Sequence, residues 1–297
     1  MTASRRTRKR TTSDESRSRR PSSKEGQRQQ KVDNLFNADS SRWSRVYESN
    51  DIFSTIMRQR HELAMEMFDG LNLRPRARVL DVGCGPGYAD VAVAQRGHSV
   101  EAIDPVQEMI ELTRKRSAEA KVARRVRASV GDAHRMTFAD GTFDVAIVLG
   151  VVPWVTELST VCRELSRVLV PGGFLIISAD NPYRMSDLLD PALNPFLRPL
   201  KWLIRGTIVA MGIRGWSPWP RPQLHTQHEF ANALKAAGLA PILFKPFGFG
   251  PTTFLHRRLF SNRFEVAMNR RFQHLVERNA SLLGWCASQY LVLAQRT

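Results

Sequence analysis

The stretch Val79-Leu80-Asp81-Val82-Gly83-Cys84-Gly85-Pro86-Gly87 constrains the fold more than any other, because an apolar strand runs straight into three alternating glycines. Such a turn lets backbone approach a nucleotide-type ligand closely. The pyrophosphate-binding version reads G-x-G-x-x-G, and its third glycine lets the next helix pack on the strand and aim its N-terminus at phosphate. Gly83 and Gly85 fit, but position 88 is Tyr88. The strand also ends in Asp81, a carboxylate that would repel two phosphates in a partly dry site. The turn therefore suits a ligand with a cationic end and no phosphate.

Three further segments follow in order. Val100-Glu101-Ala102-Ile103-Asp104-Pro105 is an apolar strand ending in an acid, about 20 residues beyond the turn, where a ribose clamp belongs. Asp104 before Pro105 also suits the start of a helix. Val130-Gly131-Asp132-Ala133 ends a third strand, and Phe143 to Val148 forms a fourth, followed by Leu165 to Val170 and Pro171-Gly172-Gly173. In this order and spacing the four segments resemble the class I S-adenosylmethionine-dependent methyltransferases, of the type 11 kind, over about two thirds of the chain.

The resemblance implies an α/β, Rossmann-like fold: a seven-stranded, mostly parallel sheet with its last strand antiparallel, helices on both faces and helical cap insertions. It implies S-adenosylmethionine as cofactor, which carries an ammonium and a sulfonium but no phosphate. By resemblance Asp81, Gly83, Cys84, Gly85 and Gly87 surround its methionine and ribose part. Asp104 and Pro105 meet the ribose hydroxyls, Asp132 and Ala133 the adenine, and Gly150, after the fourth strand, joins the cofactor-binding set.

The formal charge of +16 is unevenly spread, since residues 1 to 31 hold 11 Lys and Arg against 3 Asp and Glu. That segment is rich in Ser, Thr and Gln and poor in apolar residues, so residues 1–40 are expected to be a disordered basic tail. A solvated tail and an arm for RNA or anionic lipid are both open readings. The tail lacks the apolar run of a signal peptide. Cys84, Cys162 and Cys286 are isolated, which indicates neither zinc nor disulfides and fits a reducing cytosol.

Strands are expected near 77–82, 99–103, 125–130, 143–149, 173–179, 241–246 and 288–295, with helices near 87–96, 106–120 and 157–169. Thr226 and Glu229 form a T-x-x-E capping box, and Gly238 supplies a stop. The methyltransferase domain would span 41–297, with an N-terminal lid at 41–70, a cofactor-binding core at 71–180 and a helical insertion at 181–225. Residues 226–297 would complete the sheet around a second insertion at 248–287.

These extra segments should select the methyl acceptor. Arg42-Trp43-Ser44-Arg45-Val46-Tyr47 resembles the lid of methyltransferases acting on quinone precursors and porphyrin carboxylates, or else packs aromatics on the core. Within 196–216, apolar residues recur at helical spacing beside Arg198, Lys201 and Arg205, which suits either a lid or a peripheral membrane contact. Pro153 and Trp154 stand where relatives often carry histidine and imply an apolar acceptor site. The expected reaction is direct displacement, without metal, by an oxygen of a small or lipid-like acceptor, with Tyr47, His225 and His228 as candidate catalytic groups. The alternative is an RNA-associated methyltransferase or nucleic-acid-binding protein docking through the tail, although nucleic acid is not the favoured partner. Asp180-Asn181-Pro182-Tyr183 resembles an amine-gripping N-P-P-Y loop but follows the fifth strand and lacks the second proline, so it is set aside.

Overall fold

The computed structural model describes residues 24–38, 43, 45–197, 222–278 and 281–297. In the glycine-bearing half, strands β1 (Arg78–Val82), β2 (Ser99–Asp104), β3 (Val126–Val130) and β4 (Phe143–Val148) are followed by β5 (Leu169–Asp180) and β6 (Leu239–Phe247). A short hairpin, β7 (Thr253–Phe254) with β8 (Arg257–Arg258), precedes β9 (Gln289–Arg296). The main sheet has seven strands in the order β3-β2-β1-β4-β5-β9-β6. Its first five strands pair in parallel, and β9 runs antiparallel between β5 and β6. The expected fold class is what is found.

Strands of this kind read as near-continuous apolar runs because helices cover both faces. Alternate residues accordingly enter two different cores. Leu80, Ala146, Val148, Leu175 and Ile177 pack on one side, while Val79, Val145, Ile147 and Ile176 pack on the other. The covering helices are α1 (Lys24–Ala38), α2 (Ile52–Asp69), α3 (Tyr88–Gln95), α4 (Gln107–Glu119), α5 (Leu158–Val168), α6 (Met185–Leu189), α7 (Gln227–Ala236), α8 (Asn262–Glu277) and α9 (Ser281–Trp285). In α5 the buried Leu158, Val161, Cys162, Leu165 and Val168 follow the helical period, so one stripe faces the sheet. The capping box at α7 forms as read: Glu229 N donates to Thr226 Oγ1 at 3.2 Å, and Thr226 N to Glu229 Oε2 at 2.9 Å.

Two expectations need correction. The first concerns the disordered tail: Lys24–Ala38 is helical, and Val32 within it is 2% exposed. The basic composition hid an apolar stripe, Val32 and Phe36 at i and i+4, that has a surface to cover. The second concerns Pro171-Gly172-Gly173, which lies inside β5 instead of preceding it. Pairing with β4 jumps there from Phe143/Leu169 to Val145/Phe174, so the dipeptide Gly172-Gly173 marks a bulge. Residues 1–23 and all of 196–216 beyond Leu197 lie outside the described residues, as do the expectations placed on them. Among the described residues no helix is long and apolar enough to cross a membrane.

Candidate functional site

The strand order reverses between β1 and β4, and a crevice opens beyond the carboxyl ends of parallel strands at such a point. A cavity of about 310 Å³ occupies it. Its floor is the glycine turn, its far wall the ends of β2 and β4, and its roof α1 with Trp43, Tyr47 and α2.

The turn owes its shape to two steric demands. At Gly83 (φ 70°) a Cβ would lie 2.3 Å from Val151 Cγ2, and at Gly87 (φ 82°) it would lie 2.8 Å from Thr113 Oγ1. Gly87 is thus the close-packing glycine that starts α3 against α4, which explains why position 88 tolerates tyrosine. It does not line the cavity, so its expected contact with a ligand becomes a scaffold role. Gly85 is different: a Cβ there would meet nothing within 4 Å, and the backbone is open to the cavity. Its N–H donates to Asp104 Oδ2 at 3.0 Å, while Val106 N donates to Asp104 Oδ1 at 2.9 Å. Asp104 therefore joins the glycine turn to the start of α4. Burial raises its carboxyl to about 6, against the lowering effect of those two N–H groups.

Behind the turn lies a cluster that the sequence did not disclose. Asp81 is 3% exposed and Asp90, from the first turn of α3, is 1% exposed. Burial pushes Asp81 up to about 7, with Asp104 adding to the rise and Arg60 opposing it. Burial likewise raises Asp90 well above the carboxylate range, reinforced by Asp81. No hydrogen-bond donor among the described residues reaches either oxygen of Asp90. Asp90 therefore favours its protonated, uncharged form beside Asp81.

The buried Arg60 guanidinium enters from α2, with its Nη1 2.4 Å from where a Cβ on Gly150 would stand; only glycine (φ 77°) leaves it that space. Its Nε, Trp43 Nε1, His61 Nδ1, Gln29 Oε1 and Gln289 Oε1 are all buried without a hydrogen-bond partner, and all five residues line the cavity. Unsatisfied polar atoms on this scale are rare except where a ligand or water completes them. One wall of the cavity is aromatic: Phe36 meets Trp43 at 5.4 Å and Trp154 at 5.3 Å between ring centroids.

The expected cofactor residues Asp81, Gly83, Cys84, Gly85, Asp104, Pro105, Asp132, Ala133 and Gly150 all line this one cavity. The Cys84 thiol, however, packs inward against Ile110 and Ala128, and burial holds it well above its ordinary pKa. Asp132 accepts from both His134 N (2.9 Å) and His134 Nδ1 (2.8 Å) through Oδ1, and the His134 bond lowers its carboxyl. Of the expected catalytic groups, Tyr47 lines the cavity and its ring lies 4.1 Å from that of Tyr88. His225 and His228 do not line it. Tyr290 Oη donates to the His225 carbonyl at 2.7 Å, and exposed His228 contacts Asn232 at 3.0 Å, so both belong to the α7 cap. His61, which the sequence did not single out, lines the cavity, and burial lowers its imidazole, leaving it neutral near pH 7. Asn181, set aside above, donates to the carbonyls of Trp285 (2.7 Å) and Ala287 (2.8 Å) and anchors the approach to β9. Among the described residues no group of His, Cys, Asp and Glu is arranged to hold a metal ion.

Residues 80–177 match the model of a methyltransferase domain family. The malonyl-acyl-carrier-protein O-methyltransferase of Halorhodospira halophila is 28% identical over 52% of this chain and 49% of its own length. The ubiquinone biosynthesis O-methyltransferase of Azorhizobium caulinodans is 29% identical over 60% of this chain and 67% of its own. The chain thus spans about half to two thirds of the length of these curated relatives. In fold it is similar to the cyclase SpnF (TM-score 0.59, 18% identity, 90% of this chain and 95% of that one). It is also similar to the magnesium protoporphyrin IX methyltransferase of Synechocystis, solved with bound S-adenosylhomocysteine (TM-score 0.58, 17% identity, 91% of this chain and 100% of that one).

Proposed function

We propose, from the premise that this chain belongs to the class I S-adenosylmethionine-dependent methyltransferases through its domain at 80–177, that it methylates an oxygen of a small or lipid-like apolar acceptor. The observation that carries the reading is the pairing, in one cavity, of a buried guanidinium at Arg60 with a buried carboxyl at Asp81, beside an aromatic wall. A zwitterionic amino-acid end needs one group of each sign, and the unpartnered Arg60 Nε suits its carboxylate while Asp81 suits its ammonium. Asp104, already fixed by two N–H bonds, presents its remaining lone pairs to ribose hydroxyls. Gly85 leaves the space a ligand backbone approach requires.

When bound, the cofactor supplies a methyl group already activated on a sulfonium. Held by Arg60, Asp81 and Asp104, it would supply that methyl to an acceptor oxygen, the carbon–sulfur electron pair leaving with sulfur. The chain's own part is alignment and exclusion of water, in which Phe36, Trp43 and Trp154 form the apolar wall. His61, neutral and with Nδ1 unpartnered, is the group placed to take the acceptor proton, with Tyr47 beside it at 6.0 Å between rings. The relatives named above for O-methylation support an oxygen acceptor. The nucleic-acid alternative is not favoured, because Asp33, Asp81, Asp104, Asp132 and Asp180 in the lining would repel a phosphate backbone.

The test is calorimetry with S-adenosylhomocysteine on the full chain and on Arg60→Met, followed by mass-spectrometric screening of phenolic and carboxylic acceptors. Binding that is undiminished by Arg60→Met would remove the zwitterion argument. Methylation of RNA but of no small acceptor would reverse the choice of substrate.

A further inference from the structure

We propose that the hairpin β7–β8 and the start of α8 form a docking surface for an anionic lipid bilayer. The surface stands on its own observations and goes beyond the proposed acceptor. Between residues 254 and 264, Phe254, Leu255, Leu259, Phe260 and Phe264 are 43% to 58% exposed. Contiguous apolar exposure of this kind on a domain with two well-filled cores marks a contact surface.

The hairpin is built to present these groups. Its two turn residues, Leu255 (φ 48°) and His256 (φ 65°), both lie in the left-handed region, where a two-residue hairpin turn normally carries Asn-Gly. A fully buried carboxylate holds them there: Asp190 accepts from Thr253 Oγ1 (2.6 Å), Leu255 N (3.0 Å) and His256 N (3.0 Å). A strained turn retained in this way, with an exposed leucine at its tip, has no role in the core.

Charge chooses the occupant. From 253 to 271 the chain carries Arg257, Arg258, Arg263, Arg270 and Arg271 against the single acid Glu265, which is buried and paired with Arg258. The surface is therefore apolar with a positive surround. A second copy of the chain would bring the same arginines face to face, on a molecule of formal charge +16. A bilayer bearing anionic headgroups instead receives the arginines at its surface and the phenyl and leucyl groups just below. Position agrees as well: a recess bounded by Val46, Phe53, Pro251, Arg258 and Asn262 joins the hairpin to Val46 and Phe53, which also line the cavity.

The test uses the full chain and vesicles of phosphatidylcholine with or without phosphatidylglycerol. The wild type is expected to co-sediment with the anionic vesicles. The triple variant Phe254→Ser/Leu255→Ser/Phe260→Ser should bind about tenfold or more weakly, with unchanged melting and unchanged affinity for S-adenosylhomocysteine. Arg257→Glu/Arg263→Glu should weaken binding and reduce its salt dependence. Because the basic segment before α1 could attract the same vesicles, an environment-sensitive fluorophore on Leu255→Cys in a Cys286→Ser background provides a local readout, expected to blue-shift on binding. Equal binding by the triple variant, or a fluorophore that stays in water, overturns the proposal. So does a wild-type dimer that the triple variant dissociates, or capture of an acidic carrier protein with no affinity for vesicles.

Discussion

The raised carboxyl of Asp81 makes cofactor binding depend on pH in a direction that follows from the structure. If Asp81 meets the cofactor's ammonium, only its ionised form binds well, and in the free protein that form prevails above about 7. At pH 5 Asp81 is mostly protonated, so affinity should fall about tenfold for each pH unit below the carboxyl's own value. Calorimetry from pH 5 to 8, in buffers of differing ionisation enthalpy, should record affinity rising through this range with release of a proton. Asp81→Asn removes the titrating carboxyl, so binding should be weaker throughout and its dependence on pH across this range should be lost. Stability runs the opposite way. Folded-state values above those of the unfolded chain mean that the free protein loses stability as pH rises from about 4 towards 7, and bound cofactor offsets this loss. A flat affinity between pH 5 and 8, or an unchanged inflection in Asp81→Asn, would refute the reasoning.

Other substitutions separate ligand contacts from scaffold. Asp104→Asn should weaken S-adenosylhomocysteine binding about tenfold or more, since one of its two N–H bonds and the charge facing the ribose are lost; unchanged calorimetric affinity would count against the site. Gly87→Ala should destabilise the fold by about 1–3 kcal/mol, read by urea denaturation, because φ 82° and a contact of 2.8 Å with Thr113 both oppose a Cβ. His61→Gln should lower kcat about 100-fold or more on a protonated acceptor while leaving cofactor affinity intact, and should flatten the acid limb of the pH profile. An unaltered profile would remove His61 from the proton path.

The nucleotide half of the site was legible because its signals are local. A strand, a glycine turn and the acid ending the next strand lie within about 25 residues, and Asp81, Gly83, Gly85 and Asp104 meet as their spacing requires. The rest of the lining is assembled from remote pieces. Arg60 comes from α2, Gln289 from β9 and Phe36 from a helix within what composition marked as tail. Some signal was present: Arg60 falls on the same helical stripe as Ile56, Leu63 and Ala64, and Asp90 is the one charge in Tyr88–Gln95. A charge on an apolar stripe shows burial but not its partner. The histidines at 225 and 228 misled for the converse reason, since their chemistry was suitable and only tertiary placement excluded them.

The position of β9 between β5 and β6 has a temporal consequence. Gln289, at its first residue, donates to Asp180 Oδ1 at 2.7 Å and so completes the wall behind Arg60. During synthesis the glycine turn and Asp104 can assemble as soon as β1 to β4 have emerged, whereas that wall must wait for residues 289–296. The last parallel-flanked gap in the sheet is filled by its latest strand, and a nascent chain able to hold a nucleoside would still lack the enclosure that keeps water from a methyl group in flight.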